Sequence, residues 1–152
     1  MSVVNLKMLG KMDVIIQDAK SFIQKLGRPG VNATVIFDID DTLLSKHGER
    51  IEPVVGLYNN VKELGYNIAI ITARTKEKSV RDWTTKQLHS AGITGYMDIY
   101  YRPELDTNIK SFKEAAREDL LNRGYMAVMS VGDMWWDVGN YGGKPVIVPV
   151  LY

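Results

Sequence analysis

The 152 residues include no cysteine and only two histidines, His47 and His89. Disulfides, thiolate zinc centres and cysteine nucleophiles are thereby excluded, and most histidine-built metal sites with them. Any metal must sit on oxygen ligands, which suits Mg²⁺ or Ca²⁺. Long apolar runs are also missing. No stretch approaches ~18 consecutive apolar residues, so no membrane span is expected. The opening "MSVVNLKMLGKMDVIIQDAK" has no uninterrupted apolar core or small-residue cleavage site, and a cytoplasmic location is expected. Nor does charge of one sign dominate. Nineteen Lys and Arg face eighteen Asp and Glu, for a net charge of +1. With no long like-charge run, neither a nucleic-acid footprint nor an acidic tail is indicated.

What is present is ordinary for a globular chain, at 45% hydrophobic and 24% charged residues. The length suits one domain with a real core. Residues 12 to 26 place Ile15, Ile16, Ala19, Phe22, Ile23 and Leu26 at helical spacing, with Gly27 and Pro29-Gly30 closing the helix. "ATVIFDI" reads as a short buried strand. "EPVVGLYNNVKELGY" reads as a helix from about Pro53 to Gly65, and "NIAIIT" as a second strand. "KEKSVRDWTTKQLHSAG" predicts a helix with Val80, Trp83 or Thr84, and Leu88 inward. Then come strand "YMDIYY", helix "NIKSFKEAAREDLLNRG", strand "MAVMSVG" and strand "KPVIVPV".

This alternation predicts a single Rossmann-like α/β domain, with a five-stranded parallel sheet between two helical layers. The near-continuous apolar strands agree, since such sheets are covered on both faces. Residues 1–30 read as an N-terminal helical appendage and 31–152 as the core. In such folds ligands bind beyond the C-terminal strand ends.

Those ends carry a chemical set. The first strand ends in Asp38-Ile39-Asp40-Asp41-Thr42, the second in Thr72-Ala73-Arg74 and the third in Tyr101-Arg102. The fourth ends in Gly132-Asp133, with Asp137 four residues on, and the helix before it carries Lys110 and Lys113. Two carboxylates ~4 Å apart at an effective dielectric of ~20 repel by roughly 4 kcal/mol, so a metal cation, a nearby ammonium or geometry that points the groups apart must offset the crowding. Carboxylates, a hydroxyl and an ammonium together suffice for phosphoryl transfer. A carboxylate can act as nucleophile, and a second one two residues on, along the same side of an extended chain, can serve as general acid and base.

The motifs also resemble a known family. "DIDDTLL" is similar to the D-x-D-x-T motif of haloacid-dehalogenase (HAD) superfamily phosphatases, "IAIITAR" to their second motif, and "GDMWWD" to their acidic fourth motif. Within that superfamily, "FKEAAREDLLNRGY", "GDMWWDV" and the terminal "VPVLY" resemble the acid phosphatases that include plant vegetative storage proteins and bacterial class B and C enzymes. The resemblance implies Asp38 as nucleophile and Mg²⁺ ligand. It implies Asp40 as general acid/base, ligating Mg²⁺ through its carbonyl. Thr72 and the Ala73 N–H would hold phosphoryl oxygens, with Lys113 neutralising the Asp38–phosphoryl pair. Asp133 would ligate Mg²⁺ and Asp137 order its water shell. The K-x-x-x-R spacing favours Lys113 over Lys110.

Departures from the pattern bear on specificity. Trp136 stands where the branch usually has Ser. Residues 43 to 71 leave no room for a folded cap, so the site should be open unless the N-terminal helix or a neighbouring subunit of a homo-oligomer covers it. The substrate expected is a phosphorylated small molecule or a phosphorylated polymer end, with a nucleotide or polynucleotide-end phosphatase of the same fold as the alternative. Asp41 is read as a bystander facing away, and Trp135 and Trp136 as packing, with a stacking platform for a base as the alternative. Arg74 and Arg102 are read as ion-pair or surface residues, with substrate contact the alternative. His47 is assigned no role. A receiver-type signalling domain is disfavoured because the third strand ends without an Asp. A dehalogenase would leave Asp40 and the other acids without a task. A non-catalytic storage or binding protein on the same scaffold should lack the nucleophile, yet Asp38 is present.

Overall fold

A computed structural model describes residues 6–151. Residues 1–5 of the N-terminal segment and the last residue of "VPVLY" lie outside it. The chain alternates α1 (Leu6–Leu26), β1 (Ala33–Phe37), α2 (Glu52–Glu63), β2 (Asn67–Thr75), α3 (Lys78–Ser90), β3 (Asp98–Arg102), α4 (Ile109–Asn122), β4 (Met126–Gly132) and β5 (Lys144–Ile147). A single 3₁₀ turn, Trp135–Asp137, separates the last two strands. All strand pairs are parallel, in the order β3-β2-β1-β4-β5. This is the expected α/β architecture with its five-stranded parallel sheet.

Strand order explains where the site falls. The chain moves outward from β1 to β3, then α4 returns it to the far side of β1. The topology therefore switches direction between β1 and β4, where a crevice opens beyond the strand ends. The alternation of side chains divides the core in two. Val35 and Phe37 of β1 and Ile68 and Ile70 of β2 join α1 and α2 in one cluster. Ile36, Ala69 and Ile71 point the other way, onto Ala116 and Leu120 of α4.

Helix α1 is already formed at Leu6, the first described residue and earlier than its periodicity predicts, and buries Met12, Ile16, Ala19 and Ile23 in the larger cluster. Ile15 and Phe22 pack at its margin, whereas Leu26 is exposed. Leu26 falls in the last turn, where the helix has run past the core. In α3 the inward residue is Thr84, while Trp83 is 62% exposed. Thr84 faces inward because its hydroxyl accepts a hydrogen bond from Arg74 (3.1 Å). Strand β2 does not stop at Thr72. It continues to Thr75 through a register shift, with the Arg74 N–H donating to the Thr72 hydroxyl at 3.1 Å.

Helix α4 carries the lysine of the site, and its start is fixed locally. The Asn108 side chain accepts from the Ser111 N–H at 2.9 Å, satisfying one of the donors left free at a helix N-terminus. Among the described residues, no helix is long and apolar enough to cross a membrane.

Candidate active site at the carboxyl ends of β1 and β4

Asp38 follows β1 directly and is 8% exposed. Its N–H donates to the Val131 carbonyl of β4 (3.0 Å), so the residue still hangs on the sheet. The chain then turns tightly, with the N–H groups of Thr42, Leu43 and Leu44 all donating to the Ile39 carbonyl. Asp41 takes a positive φ of 59° in this turn, a conformation Asp tolerates better than most residues. The turn aims the Thr42 hydroxyl back at Asp38 Oδ2 (3.1 Å) and at Asp133 Oδ1 (3.3 Å). Thr42 thus bridges the ends of β1 and β4. It was legible only as the last letter of D-x-D-x-T.

Lys113, 2% exposed, reaches in from α4. Its ammonium donates to Asp38 Oδ1 (2.8 Å), Asp137 Oδ1 (2.5 Å) and the Ile71 carbonyl (3.0 Å), so all three protons are used. Lys110 lies outside this arrangement. It is solvent-exposed, with its ammonium 5.3 Å from the Trp135 ring. The helix therefore separates the two lysines as the K-x-x-x-R spacing suggests.

Asp137 sits in the 3₁₀ turn, buried, with Oδ2 accepting from the Met134 N–H at 3.0 Å. It touches Lys113 directly. Gly132 makes this possible: a Cβ at that position would stand 2.2 Å from the Asp137 Cβ and 2.3 Å from Oδ2. Arg117, one turn after Lys113 on the same helix face, holds the loop behind Asp137. Its guanidinium donates to the carbonyls of Trp136 (2.9 Å) and Asn140 (2.8 Å). Sequence reasoning noticed the Lys–Arg spacing but gave Arg117 no task.

One oxygen from each of Asp38, Asp133 and Asp137 lies within 4.8 Å of the others. Burial pushes the Asp133 carboxyl up to about 7, with Asp38 and Asp137 adding to the effect. Asp137 is raised too, by burial first and then by Asp38, against the pull of Lys113. Burial by itself would lower the Lys113 pKa, but Asp38 and Asp137 outweigh it and hold the ammonium above its ordinary value. Three carboxylates share one ammonium, so the fully ionised cluster is short of positive charge. Its donors are all hard oxygens, which fits a divalent cation such as Mg²⁺.

Asp40 is not among the carboxylates that Lys113 holds. Its side chain is half exposed and outside the cluster. Arg74 grips both its oxygens instead, at 2.8 Å to Oδ1 and 3.0 Å to Oδ2. β1 ends at Phe37, and Asp40 falls at the mouth of the tight turn to Leu44, beside the end of β2. Arg74 is itself held by Thr84 and by Gln87 Oε1 (2.7 Å). Thr72 is fully buried beside Ile71, whose carbonyl Lys113 touches. Ala73 lies in the register shift, and its carbonyl accepts from Arg102 Nε at 2.8 Å. Arg102 also donates to the carbonyls of Leu105 and Thr107, so it braces a loop.

A parallel α/β sheet with aspartates and a lysine gathered at its central switch point defines a Rossmann-like fold of the HAD type. The chain belongs to the HAD superfamily, subfamily IIIB (acid phosphatase), whose family model matches residues 46–149. That span contains Thr72, Lys113, Asp133 and Asp137, while Asp38 to Thr42 precede it. The chain is similar to the stem 28 kDa glycoprotein of Glycine max, at 29% identity over 141 residues, covering 73% of this chain and 55% of that protein. It is 30% identical over 132 residues to vegetative storage protein 2 of Arabidopsis thaliana, covering 68% and 49% respectively. A stem 31 kDa glycoprotein of Glycine max matches at 30% over 142 residues, covering 74% and 55%. The chain thus spans about half the length of these relatives.

Proposed function

We propose that this chain is a Mg²⁺-dependent phosphomonoester hydrolase that works through an aspartyl-phosphate on Asp38, with Asp40 as general acid and base. The observation that carries the reading is the Asp38–Lys113–Asp137 assembly, buried at the switch point and joined to Asp133 through Thr42. A buried charge cluster is costly to keep for packing alone. Membership of an acid phosphatase subfamily supports the same chemistry.

Asp38 attacks phosphorus through a carboxylate oxygen, and the bond to the leaving oxygen breaks. Each Asp38 oxygen accepts from one donor among the described residues, Lys113 or Thr42, and so keeps electron density to offer. Protonated Asp40 gives its proton to the leaving oxygen. It then takes a proton from the water that attacks the phosphoryl group, and the bond to Asp38 breaks, releasing phosphate. Arg74 occupies both Asp40 oxygens, so one must be freed before this transfer. Thr72 and the Ala73 N–H are assigned to the equatorial oxygens, and Lys113 to the charge between phosphoryl group and nucleophile. Asp38, Asp133 and Asp137, with the Asp40 carbonyl, would hold Mg²⁺. When bound, the ion would add positive charge beside the phosphoryl oxygens.

The second reading, a non-catalytic storage protein, is favoured by the names of two relatives, vegetative storage proteins 1 and 2 of Arabidopsis thaliana. Hydrolysis of a generic aryl phosphate separates the two. Activity that needs Mg²⁺, stops with a chelator and is lost in Asp38→Asn supports the enzyme. Full activity in Asp38→Asn contradicts the covalent route, and no activity in the unaltered protein favours storage.

A further inference from the structure

A cavity of about 500 Å³ opens between the loop after Ser45 and the outer face of α3. That volume lies in the range of small-ligand sites. Gln87 lines it and also accepts from Arg74, which in turn holds Asp40. Two short hydrogen-bonded steps therefore connect the cavity to the carboxyl assigned to protonate the leaving oxygen. The indole of Trp83 stands on its wall, 62% exposed, on a helix face that packs against nothing in the core. Lys86 of α3 and His47 of the facing loop also line the cavity, and no carboxylate is among the lining residues. Arg50, also there, is already spent on Glu52 and the Ala91 carbonyl. Asp82, the acid within the field of Lys86, is paired with Lys78 at 2.8 Å.

Resting on the phosphomonoesterase reading, we propose that this cavity is the leaving-group subsite. It takes a planar ring against Trp83 and a second anionic group against Lys86 and His47. Substrates would then be phosphomonoesters whose leaving group carries both a ring and an extra negative charge. An aromatic face attracts any flat ring without reading its identity, while the Lys86 ammonium and the His47 ring N–H select for the second anion. Because nothing among the described residues closes over the cavity, the ring can project outward as the phosphoryl group enters beside Asp38.

Two substrate series distinguish nucleotide from simple aryl leaving groups, with glycerol 3-phosphate as the ringless control. One series is adenosine 5′-monophosphate and adenosine 3′,5′-bisphosphate; the other is phenyl phosphate and 4-carboxyphenyl phosphate. In Trp83→Ala the ratio of kcat/KM for ring substrates to that for glycerol 3-phosphate should fall about tenfold, the scale of one lost stacking contact. In Lys86→Gln the preference for the doubly anionic member of each series should shrink several-fold, mostly through KM. A fall shared equally by glycerol 3-phosphate, or no change in either ratio, overturns the subsite while leaving the phosphatase reading intact. If no phosphomonoester is hydrolysed, that reading fails instead. Calorimetric binding of adenosine 3′,5′-bisphosphate and 4-carboxyphenyl phosphate to Asp38→Asn then decides the cavity. Binding lost in the Trp83→Ala double variant supports it, and binding that is absent or unaffected overturns it.

Discussion

Replacing Lys113 by Met keeps the length of the side chain and removes its charge. In the native protein the ammonium is 2% exposed and is the sole cation bonded to Asp38 and Asp137 among the described residues. Without it, three clustered carboxylates face one another with no counter-charge in the metal-free protein. Removing one partner of a buried ion pair costs about 3–5 kcal/mol. For a domain of this length each kcal/mol moves the midpoint by roughly 2–4 °C, so thermal unfolding should drop by roughly 6–20 °C at neutral pH. The loss should shrink as pH falls below about 7, where Asp133 takes up a proton and relieves the repulsion. Adding Asp137→Asn to Lys113→Met should restore part of the stability, because it removes one of the stranded charges. Circular dichroism melts in a chelating buffer supply the measurement. A loss within the roughly 0.5 kcal/mol of an ordinary surface change, or a double variant no more stable than the single one, would refute the reasoning.

Asp133 sets the pH dependence of the metal-free protein. Its folded pKa is raised from 3.8 to about 7, so the folded state binds more protons than the unfolded chain between those values, and its contribution to stability declines as pH rises through that window. Denaturant titrations at about pH 5 and about pH 8 should show this decline, flattened in Asp133→Asn; millimolar Mg²⁺ should raise the midpoint more at the higher pH. Gly132→Ala forces a methyl within 2.2 Å of the Asp137 Cβ and should lower both the midpoint and the Mg²⁺ response, whereas unchanged values of both would show that the turn can yield. Arg74→Met releases Asp40 from its two-point grip and should lower kcat by up to about 10²-fold with little effect on Mg²⁺ binding. Arg74→Lys should not rescue it, since an ammonium cannot reproduce the fork; unaltered turnover in either variant would remove Arg74 from the account.

Much of this molecule is written in its sequence because each signal has a local cause. Parallel strands announce themselves as "ATVIF" and "NIAII", buried on both faces, and the crossing helices follow from their punctuation by glycine and by Pro53. The carboxylates were legible as a group because parallel topology obliges the strand ends to meet. Side-chain partners across the sheet were less accessible. Nothing in "ITAR" says that Arg74 will fold back onto Asp40 rather than outward, since that depends on the register shift after Thr72 and on Thr84 and Gln87 of α3. Trp83 was read as a candidate core residue for the same reason. Helical periodicity cannot rank Trp83 above Thr84 when the deciding contact is a hydrogen bond to an arginine from another strand. Arg117 carried a spacing signal, yet its carbonyl partners at Trp136 and Asn140 exist only once the loop is formed.

The central claim is that Asp38 is covalently phosphorylated during turnover. Acid quenching of the protein with a phosphomonoester and Mg²⁺, followed by peptide mass spectrometry, tests it most directly. The account predicts one phosphoryl group on the peptide carrying Asp38, more abundant in Asp40→Asn, where hydrolysis of the intermediate is slowed. Sustained, Mg²⁺-dependent turnover with the Asp38 peptide unmodified at every quench time, in both proteins, would contradict it.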